Sequence, residues 1–406
     1  MLNTTKSQLH KTEGLIGLAR MMRLAFNGDN LLNITSQLAK RIEANSHDSA
    51  ALMDLSVVYQ LRARPELAIE LQAEALKQHQ FYSLETNPDN PSLRLLAIMG
   101  PGEVMANAPI DFLVEDSDIA LSYLYLGEGL PVPSQIPDHD VAFVAVCESD
   151  GSQFLLSQLN EIMRHWPMPF INIPSRIAQL SRDKVSEKLA SASGVVTSQA
   201  RRVSRLETIS LINSGHEFFP MIARPVNSHA GHGLAKLDDG VQVSEYLNSH
   251  DSDEFFIAPF IDYRSDDDLY RKYRVAVIDG VPFAAHMAIS HHWMVHYLNA
   301  DMIHSQKNRN SEAKFMSDFD TDFATKHRVA LQEIDRRIGL DYYSIDCATT
   351  SDGKLLVFEL DSGAVVHSMD SVEQFPYKAP QMKLVFEAFQ QMLRRKAIGA
   401  KKRMVA

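Results

Sequence analysis

Three carboxylates in the last quarter of the chain have the types and spacing to do chemistry. Asp346, Glu359 and Asp361 lie within residues 340–363, where two apolar, strand-like runs flank a polar turn at 351–353. Glu359 and Asp361 are two residues apart, so alternation along a strand places them on one face. Closely packed carboxylates repel each other unless a hard cation such as Mg²⁺ neutralises them. The spacing predicts a magnesium-binding hairpin; a solvated acidic hairpin is the alternative.

Cationic side chains occur on strand-like segments earlier in the chain. Lys272 and Arg274 share one face of an apolar strand, and another strand ends at Arg224, just before the glycine-rich loop 227–233. Backbone N–H groups of such a loop can bind phosphate oxygens. The pattern is consistent with phosphate held between cations and carboxylates, although a charged outer face explains Lys272 and Arg274 equally well. Cys347, which follows Asp346, is expected to turn into the core.

Composition limits the classes of function. With 406 residues and 45% hydrophobic content, the chain is expected to form two or three packed units. A net charge of -11 argues against nucleic acid as a partner. Two cysteines build no disulfide framework, and the sequence shows neither a signal peptide nor an apolar run of membrane-spanning length. We therefore expect a cytoplasmic protein without a membrane partner.

The order of apolar patterns predicts three parts. Residues up to about 84 have helical periodicity, and 51–78 resembles one tetratricopeptide-type helix pair; a helical cap is the alternative. After a polar linker the pattern becomes mixed, with strands predicted at 93–99, 110–114, 121–126, 141–147 and 170–173 and a helix near 154–166. Two further helices are predicted within 318–338, closed by Gly339, and around 382–392. The predicted domains are 1–90, 91–178 and 179–406.

The sequence of these features resembles the ATP-grasp superfamily, and the RimK-type branch of carboxylate-amine ligases looks closest. The similar features are an Arg-Asp-Lys helix start at 182–184, the basic strand and glycine loop, an apolar strand ending at Asp262, the strand with Arg274, and the Asp…Glu-x-Asp hairpin. The resemblance implies an α+β, ATP-grasp fold. It would consist of a pre-ATP-grasp α/β domain and two α+β subdomains, preceded by an all-α N-terminal domain.

The resemblance also implies ATP as cofactor with Mg²⁺, or Mn²⁺ as the alternative ion, and a role for each matching residue. Arg274 and Arg224 would act on the transferred phosphoryl group, and Asp346, Glu359 and Asp361 would bind the metal. The residues that match nucleotide-binding positions are Lys184, Arg224, Ser228, His229, Gly231, Gly233, Ile257, Ala258, Pro259, Phe260, Asp262 and Lys272. The family usually has lysine at the position of Arg224 and asparagine at that of Asp361.

The implied activity is an ATP-dependent carboxylate-amine ligase that forms an amide bond through an acylphosphate, releasing ADP and phosphate. Its partners would be small carboxylate and amine substrates or a peptide substrate, recognised near Arg271, Ser290, His291 and 362–363. Two alternatives stay open: a kinase on the same fold, and a non-catalytic nucleotide-binding partner protein. The oligomeric state is also open, with a homodimer as one alternative.

Overall fold

The chain folds into two units, as seen in a computed structural model that describes residues 3–4, 14–133, 135–213, 219–228, 231–297 and 300–405. The first unit comprises residues 1–178, 340–342 and 362–406, and the second comprises 179–339 and 343–361. Both mix helices with sheets, as the sequence predicted. The predicted domain boundaries at 90 and 178 stay predictions.

Four helices open the first unit: α1 (Leu18–Phe26), α2 (Leu32–Ala44), α3 (Ser49–Leu61) and α4 (Pro65–Gln78). The predicted apolar spacing is confirmed for Leu31, Leu38 and Leu55, which are buried together in one core, but not for Leu67, which is exposed. Pro65 stands in the first turn of α4, where its missing N–H costs no hydrogen bond. The tetratricopeptide resemblance of α3 and α4 stays a prediction.

A five-stranded sheet completes the first unit, with strand order β2-β4-β3-β6-β7. Only β2 runs antiparallel to its neighbour; the other pairings in this sheet are parallel. The elements after α4 are β2 (Phe81–Ser83), β3 (Leu93–Met99), α5 (Asp111–Val114), β4 (Ile119–Tyr125), β5 (Gln135–Ile136), β6 (Val141–Val144), α6 (Gln153–Ile162), β7 (Phe170–Ile171) and α7 (Pro174–Ile177); β1 (Asn3–Thr4) pairs with β5.

Two local predictions in this unit are wrong. Helical structure does not continue to residue 84, because β2 adds to the edge of the sheet with Tyr82 opposite Tyr123. Residues 110–114 form the single helical turn α5 rather than a strand, and all of them are buried. A short apolar run buries its side chains equally well in either conformation, so periodicity could not separate the two.

Two buried carboxylates connect α1 to the rest of the first unit. Asp54 of α3 accepts a hydrogen bond from the backbone N–H of Ile16 at 2.8 Å, and Asp111 of α5 accepts one from Ala19 at 2.6 Å. Ala19 lies in the first turn of α1, where backbone N–H groups have no partner within the helix, and Ile16 lies two residues before the helix. The start of this helix is therefore held by two side chains that lie far along the sequence, at separations of 38 and 92 positions from their donors.

The second unit contains two sheets, with strand orders β11-β10-β12-β9 and β14-β13-β15-β16-β8. The four-stranded sheet is antiparallel throughout. The elements of this unit up to the last strand of the four-stranded sheet are α8 (Arg182–Leu189), β8 (Val195–Thr197), β9 (Arg201–Ser204), α9 (Arg205–Asn213), β10 (Met221–Pro225), β11 (Ala235–Leu237), α10 (Gly240–Asn248) and β12 (Glu254–Pro259).

The five-stranded sheet carries the predicted hairpin. Its strands and the helices between them are β13 (Tyr270–Ile278), β14 (Val281–Ser290), α11 (Gln306–Ser317), α12 (Phe323–Lys326), α13 (Arg328–Ile338), β15 (Tyr342–Thr349) and β16 (Leu355–Asp361). The single helix predicted within 318–338 is divided at His327, and Gly339 ends α13 with a left-handed φ of 63°, as predicted.

The C-terminal helix, Lys378–Val405, confirms the last predicted element. Met382, Phe389 and Met392 are buried along its core-facing side in the first unit. Among the described residues, the helices are all too short or too polar to cross a lipid bilayer.

Candidate functional site

The β15–β16 hairpin places two of the predicted carboxylates opposite each other. Asp346 is paired with Glu359 in the antiparallel register, and Ser344 is paired with Asp361. The register shifts directly after Asp346, at an irregularity of the kind that often lies beside functional sites. Cys347 is fully buried, as predicted. Because β16 is regular between Glu359 and Asp361, these two side chains project from the same face of the sheet.

The neighbouring strand β13 supplies the cations that contact Asp346. Arg274 donates from Nε to Oδ1 at 2.7 Å and from Nη2 to Oδ2 at 3.0 Å, while Lys272 Nζ lies 2.6 Å from Oδ2. The prediction that Lys272 and Arg274 share one face is confirmed, because both reach the same carboxylate. The two N–H donors of Arg274 match the two carboxylate oxygens, which fixes the planes of both groups.

Burial and charge act in opposite directions on this cluster. Burial disfavours the ionised Asp346 carboxylate, but the charges of Arg274 and Lys272 outweigh it and hold its pKa well below the usual range. Burial likewise disfavours the charged form of Arg274, and Asp346 again reverses the sign and raises the pKa of the guanidinium. The Asp346 side chain is 2% exposed, so its charge is shielded from water and ions. Asp346 and Arg274 are therefore both ionised at neutral pH.

Glu359 has a separate cationic partner that the sequence did not single out. Arg182, the first residue of α8, forms an ion pair and a hydrogen bond with Glu359 Oε2. Burial opposes ionisation of Glu359, yet Arg182 lowers its pKa, while the nearby Asp346 charge acts against that lowering. The sequence offered Arg182 only as part of the Arg-Asp-Lys helix start; Lys184, the predicted nucleotide-binding residue, lies two positions further along α8.

Arg224 lies at the end of β10 and holds the start of the glycine loop. Its Nε donates to Ser228 Oγ at 3.1 Å, and its Nη2 donates to the Ser228 carbonyl oxygen. Burial and the charge of Arg182 lower the pKa of Arg224 to about 10, and Glu359 opposes them. The structure thus brings Arg182, Arg224 and Glu359 into one electrostatic group beside the loop.

The described part of the glycine loop needs glycine at its end. Gly233 has a φ of 66°, and a Cβ there would lie 2.7 Å from Pro225 Cδ. The Gly233 carbonyl accepts a hydrogen bond from the Tyr246 hydroxyl at 2.6 Å. Gly231 also has a positive φ of 77°. His229, another predicted loop residue, lies outside the described residues.

The predicted adenine-contacting segment lies at the end of β12. Ile257 and Ala258 are buried, and Ile257 pairs with both β10 and β9. Pairing with β9 stops at Ile257, whereas pairing with β10 continues to Pro259. The backbone of Ala258 to Phe260 therefore continues beyond its pairing with β9, and the Phe260 N–H donates to the Pro220 carbonyl at 2.9 Å.

Side chains around Phe260 close this region. Lys236 Nζ lies 4.5 Å from the centre of the Phe260 ring, and the Trp293 ring packs edge-on against Phe260 at 5.8 Å. Asp262, predicted to bind ribose, forms an ion pair with Arg264 at 2.8 Å. The predicted substrate-side Arg271 is bound to Asp267 by two contacts of 2.7 Å. Any contact of Asp262 or Arg271 with a ligand would compete with these pairs.

His296 belongs to the charged group and was missed by the sequence analysis, which named His291 instead. It is partly buried; this burial, Lys272 and Arg274 lower its pKa, and Asp346 and Glu359 act in the opposite direction. No local signal marks His296, because the residues that surround it come from β13, β15 and β16.

The oxygen-rich set fits a hard divalent cation in its donor chemistry, since Asp346, Glu359 and Asp361 are all carboxylates. As arranged, however, Asp346 is bound by Lys272 and Arg274, and Glu359 by Arg182. Among the described residues, no group of three or more histidine, cysteine, aspartate or glutamate side chains is placed to hold a metal ion. The predicted metal role therefore stays a prediction, and it requires the carboxylates to exchange their cationic partners.

Comparisons with known proteins give structural similarities only. No protein-family model and no curated protein sequence matches the chain. A D-alanine–D-alanine ligase from Bacillus anthracis complexed with ATP is 13% identical over 77% of this chain and 99% of its own, with a TM-score of 0.49.

Two other solved structures show similarity of the same order. A D-Ala:D-Ser ligase from Enterococcus faecalis has 12% identity, 76% and 99% coverage of the two chains and a TM-score of 0.46. A RimK domain ATP-grasp protein from Sphaerobacter thermophilus has 13% identity, 75% and 99% coverage and a TM-score of 0.44. TM-scores below 0.5 assign neither a family nor a function to the chain.

Proposed function

We propose that the protein is an ATP-dependent carboxylate-amine ligase of the ATP-grasp type. One observation carries the proposal: Lys272 and Arg274 converge on Asp346, while Arg182 and Arg224 surround Glu359. Four cations beside a glycine-containing loop and a carboxylate hairpin suit a bound polyphosphate, whose charge is spread over many oxygens. A purely structural ion-pair network needs no such loop.

The residues of the site would act mainly by positioning. Phosphoryl transfer requires alignment of the attacking and leaving oxygens and neutralisation of charge rather than a protein nucleophile. Arg274 is held in a fixed orientation by Asp346, so its fork is preorganised beside the transferred group. Arg224 would orient the loop over the phosphates through Ser228. Lys184 would contact the same phosphates from α8.

The nucleotide base would lie against the backbone of Ala258 to Phe260, with Asp262 near the ribose. Asp346, Glu359 and Asp361 would hold Mg²⁺, or Mn²⁺ in its place. When bound, the ion would neutralise phosphate charge and polarise the phosphoryl oxygens. The substrate carboxylate would attack the γ-phosphoryl group, and the amine would then displace phosphate from the acylphosphate to give an amide.

Several finer assignments belong to the same proposal. We place the chain in the RimK-type branch, with domains 1–90, 91–178 and 179–406 and a tetratricopeptide-like first domain. The substrates would be small carboxylates and amines or a peptide, and the site of action would be the cytoplasm. A homodimer stays open. These assignments rest on the sequence resemblance and on composition.

The deciding experiment incubates the purified protein with ATP, Mg²⁺ and a pool of the twenty amino acids, and measures ADP release and products by mass spectrometry. A ligase gives ADP, phosphate and an amide in equal amounts. A phosphorylated amino acid without amide would establish the kinase alternative. Saturable ATP binding by calorimetry without ADP release would establish the non-catalytic alternative, and absence of both binding and turnover would contradict all three.

A further inference from the structure

The two carboxylates that face each other across the hairpin are each bound by cations of the protein itself. Asp346 accepts hydrogen bonds from Arg274 at 2.7 Å and 3.0 Å, and its Oδ2 lies 2.6 Å from Lys272 Nζ. Glu359 forms an ion pair and a hydrogen bond with Arg182 at the start of α8. A guanidinium and a divalent cation repel each other, so the two compete for one carboxylate. Any metal ion at this hairpin therefore competes with these protein cations.

The two sets of ion pairs differ in their access to water. The side chains of Arg182 and Glu359 are 23% and 29% exposed, whereas that of Asp346 is 2% exposed. Water that reaches both partners of a pair solvates them when they separate, so a partly exposed pair opens readily. Separation of a buried pair leaves charges without solvation and is strongly unfavourable. An exchange of partners is therefore expected at Glu359 before Asp346.

The start of α8 offers Arg182 a second kind of anionic partner. Arg182 is the first residue of this helix, and the first turn of a helix favours negative charge. Ser181, the residue before the helix, makes no capping hydrogen bond with its side chain. Among the described residues, the buried Ser181 Oγ has no hydrogen-bond partner at all. An anion that Arg182 binds here therefore meets a helix start that the protein has not capped with its own side chain.

A second arginine lies within electrostatic reach of Arg182. Burial and then the charge of Arg182 lower the pKa of Arg224, whose Nε donates to Ser228 Oγ of the glycine loop at 3.1 Å. Glu359 acts on Arg224 in the opposite direction. A single carboxylate thus offsets the repulsion between two guanidinium groups, and a polyphosphate carries more charge with which to do so. The nucleotide phosphates are therefore a stronger partner for Arg182 than Glu359 is.

We propose that Arg182 exchanges Glu359 for a phosphate group of the nucleotide, and that this exchange releases Glu359 to the metal ion. The ion pair of Arg182 and Glu359 is then an autoinhibitory contact, because each residue keeps the other from its ligand. Nucleotide and metal each free the residue that the other ligand needs, so the two bind cooperatively through the protein. This inference rests on the proposed ATP-dependent function and adds to it a phosphate-binding residue and a coupling between the two ligands.

The test measures each ligand without the other, because ATP and Mn²⁺ form a complex in solution. Mn²⁺ binding is measured by equilibrium dialysis, and ATP binding by calorimetry in the presence of EDTA. Arg182→Met should bind Mn²⁺ about fivefold more tightly or better, because the competitor for Glu359 is gone. The same variant should bind ATP about tenfold more weakly, because a charge-assisted contact with phosphate is lost. Glu359→Gln should show the reverse, with weaker Mn²⁺ binding and tighter ATP binding.

The double variant separates an exchange of partners from a general effect of charge. Removal of a negative charge near the phosphates favours ATP whatever that charge is paired with. If Arg182 exchanges partners, however, the gain in Glu359→Gln depends on the presence of Arg182. In the Arg182→Met background, Glu359→Gln should therefore change the ATP affinity in EDTA by less than about twofold, the limit within which independent effects add. An equal gain in both backgrounds would overturn the proposal.

Arg202→Met is the matched control, because it removes an arginine of the same unit that is paired with Glu254, outside the hairpin. It should leave both affinities unchanged. If circular dichroism shows that Arg182→Met does not fold, Arg182→Gln takes its place. Weaker or unchanged Mn²⁺ binding without Arg182 would contradict its competition with the metal. Wild-type protein that binds neither ATP nor Mn²⁺ would contradict the proposed function itself, whereas binding of both with additive variants would remove this inference alone.

Discussion

Arg274 on β13 and Asp346 on the adjacent strand β15 are joined by two parallel hydrogen bonds, Nε to Oδ1 at 2.7 Å and Nη2 to Oδ2 at 3.0 Å. Because the Asp346 side chain is 2% exposed, removing its partner leaves a buried carboxylate with only Lys272 to neutralise it. Removing one partner of a buried ion pair strongly lowers the free energy of unfolding, even where the intact pair contributes little to it.

We therefore expect Arg274→Met to lower the free energy of unfolding by about 3 to 5 kcal/mol, measured by urea unfolding at neutral pH. Adding Asp346→Asn should recover part of that loss, because the unpaired charge is then absent. The matched control is Arg336→Met, which removes an exposed ion pair with Glu333 and should leave the free energy of unfolding nearly unchanged. Equal effects of the two single substitutions would contradict the buried-pair interpretation.

The hairpin and the cationic strand were predictable because their information is local. Alternation along a strand fixed the shared face of Lys272 and Arg274, and the polar turn fixed the hairpin of Asp346 and Glu359. The pairing of Arg182 with Glu359 was not predictable, since 177 positions separate the two residues. The same holds for His296, whose charged surroundings are supplied by three strands.

The local sequence pattern also failed to predict secondary structure where a short run is simply buried. The run 110–114 is apolar except for Asp111 and contains the one-turn helix α5, in which Asp111 accepts a hydrogen bond from the first turn of α1. A sequence shows that such a run is buried but not which conformation buries it. The cationic partners of Asp346 and Glu359 could likewise not be read from the sequence, because they depend on distances among side chains from separate elements.

The buried Asp54 should make stability depend on pH. Burial raises the pKa of Asp54 from 3.8 to about 7, against the lowering effect of the Ile16 and Gly17 N–H groups. Between these pH values the folded carboxyl holds a proton that the unfolded chain does not. Its contribution to stability is therefore complete below pH 3.8 and is lost as pH rises through about 7.

Asp54→Asn retains an acceptor oxygen but does not titrate, so the variant should lose less stability than wild type between about pH 5 and pH 8. The measurement is the urea unfolding midpoint at both pH values. Asp29→Asn, at an exposed aspartate of the same unit, should leave the wild-type dependence intact. A parallel pH dependence in Asp54→Asn and wild type would show that Asp54 does not titrate in this range.

Glu359→Gln tests the carboxylate of the hairpin in turnover. Glutamine keeps the shape but removes the charge that Arg182 pairs with and that a metal ion would need. Loss of several kcal/mol of transition-state stabilisation corresponds to about a 1,000-fold fall in ADP formation. The fold should persist, as judged by circular dichroism. Glu333→Gln, on the solvent side of α13, is the control, and undiminished ADP formation in Glu359→Gln would remove Glu359 from the site.

Arg224→Lys tests why arginine occupies the end of β10. Lysine keeps the positive charge but lacks the planar fork, so it cannot reproduce both contacts of Arg224 with Ser228. Loss of about one charge-assisted hydrogen bond, roughly 1.5 kcal/mol, predicts ATP binding weakened about tenfold in calorimetry. Arg202→Lys, on β9 of the same sheet and paired with Glu254, should leave ATP affinity unchanged. Equal or tighter ATP binding by Arg224→Lys would mean that its charge alone matters and that its hold on the loop does not contribute.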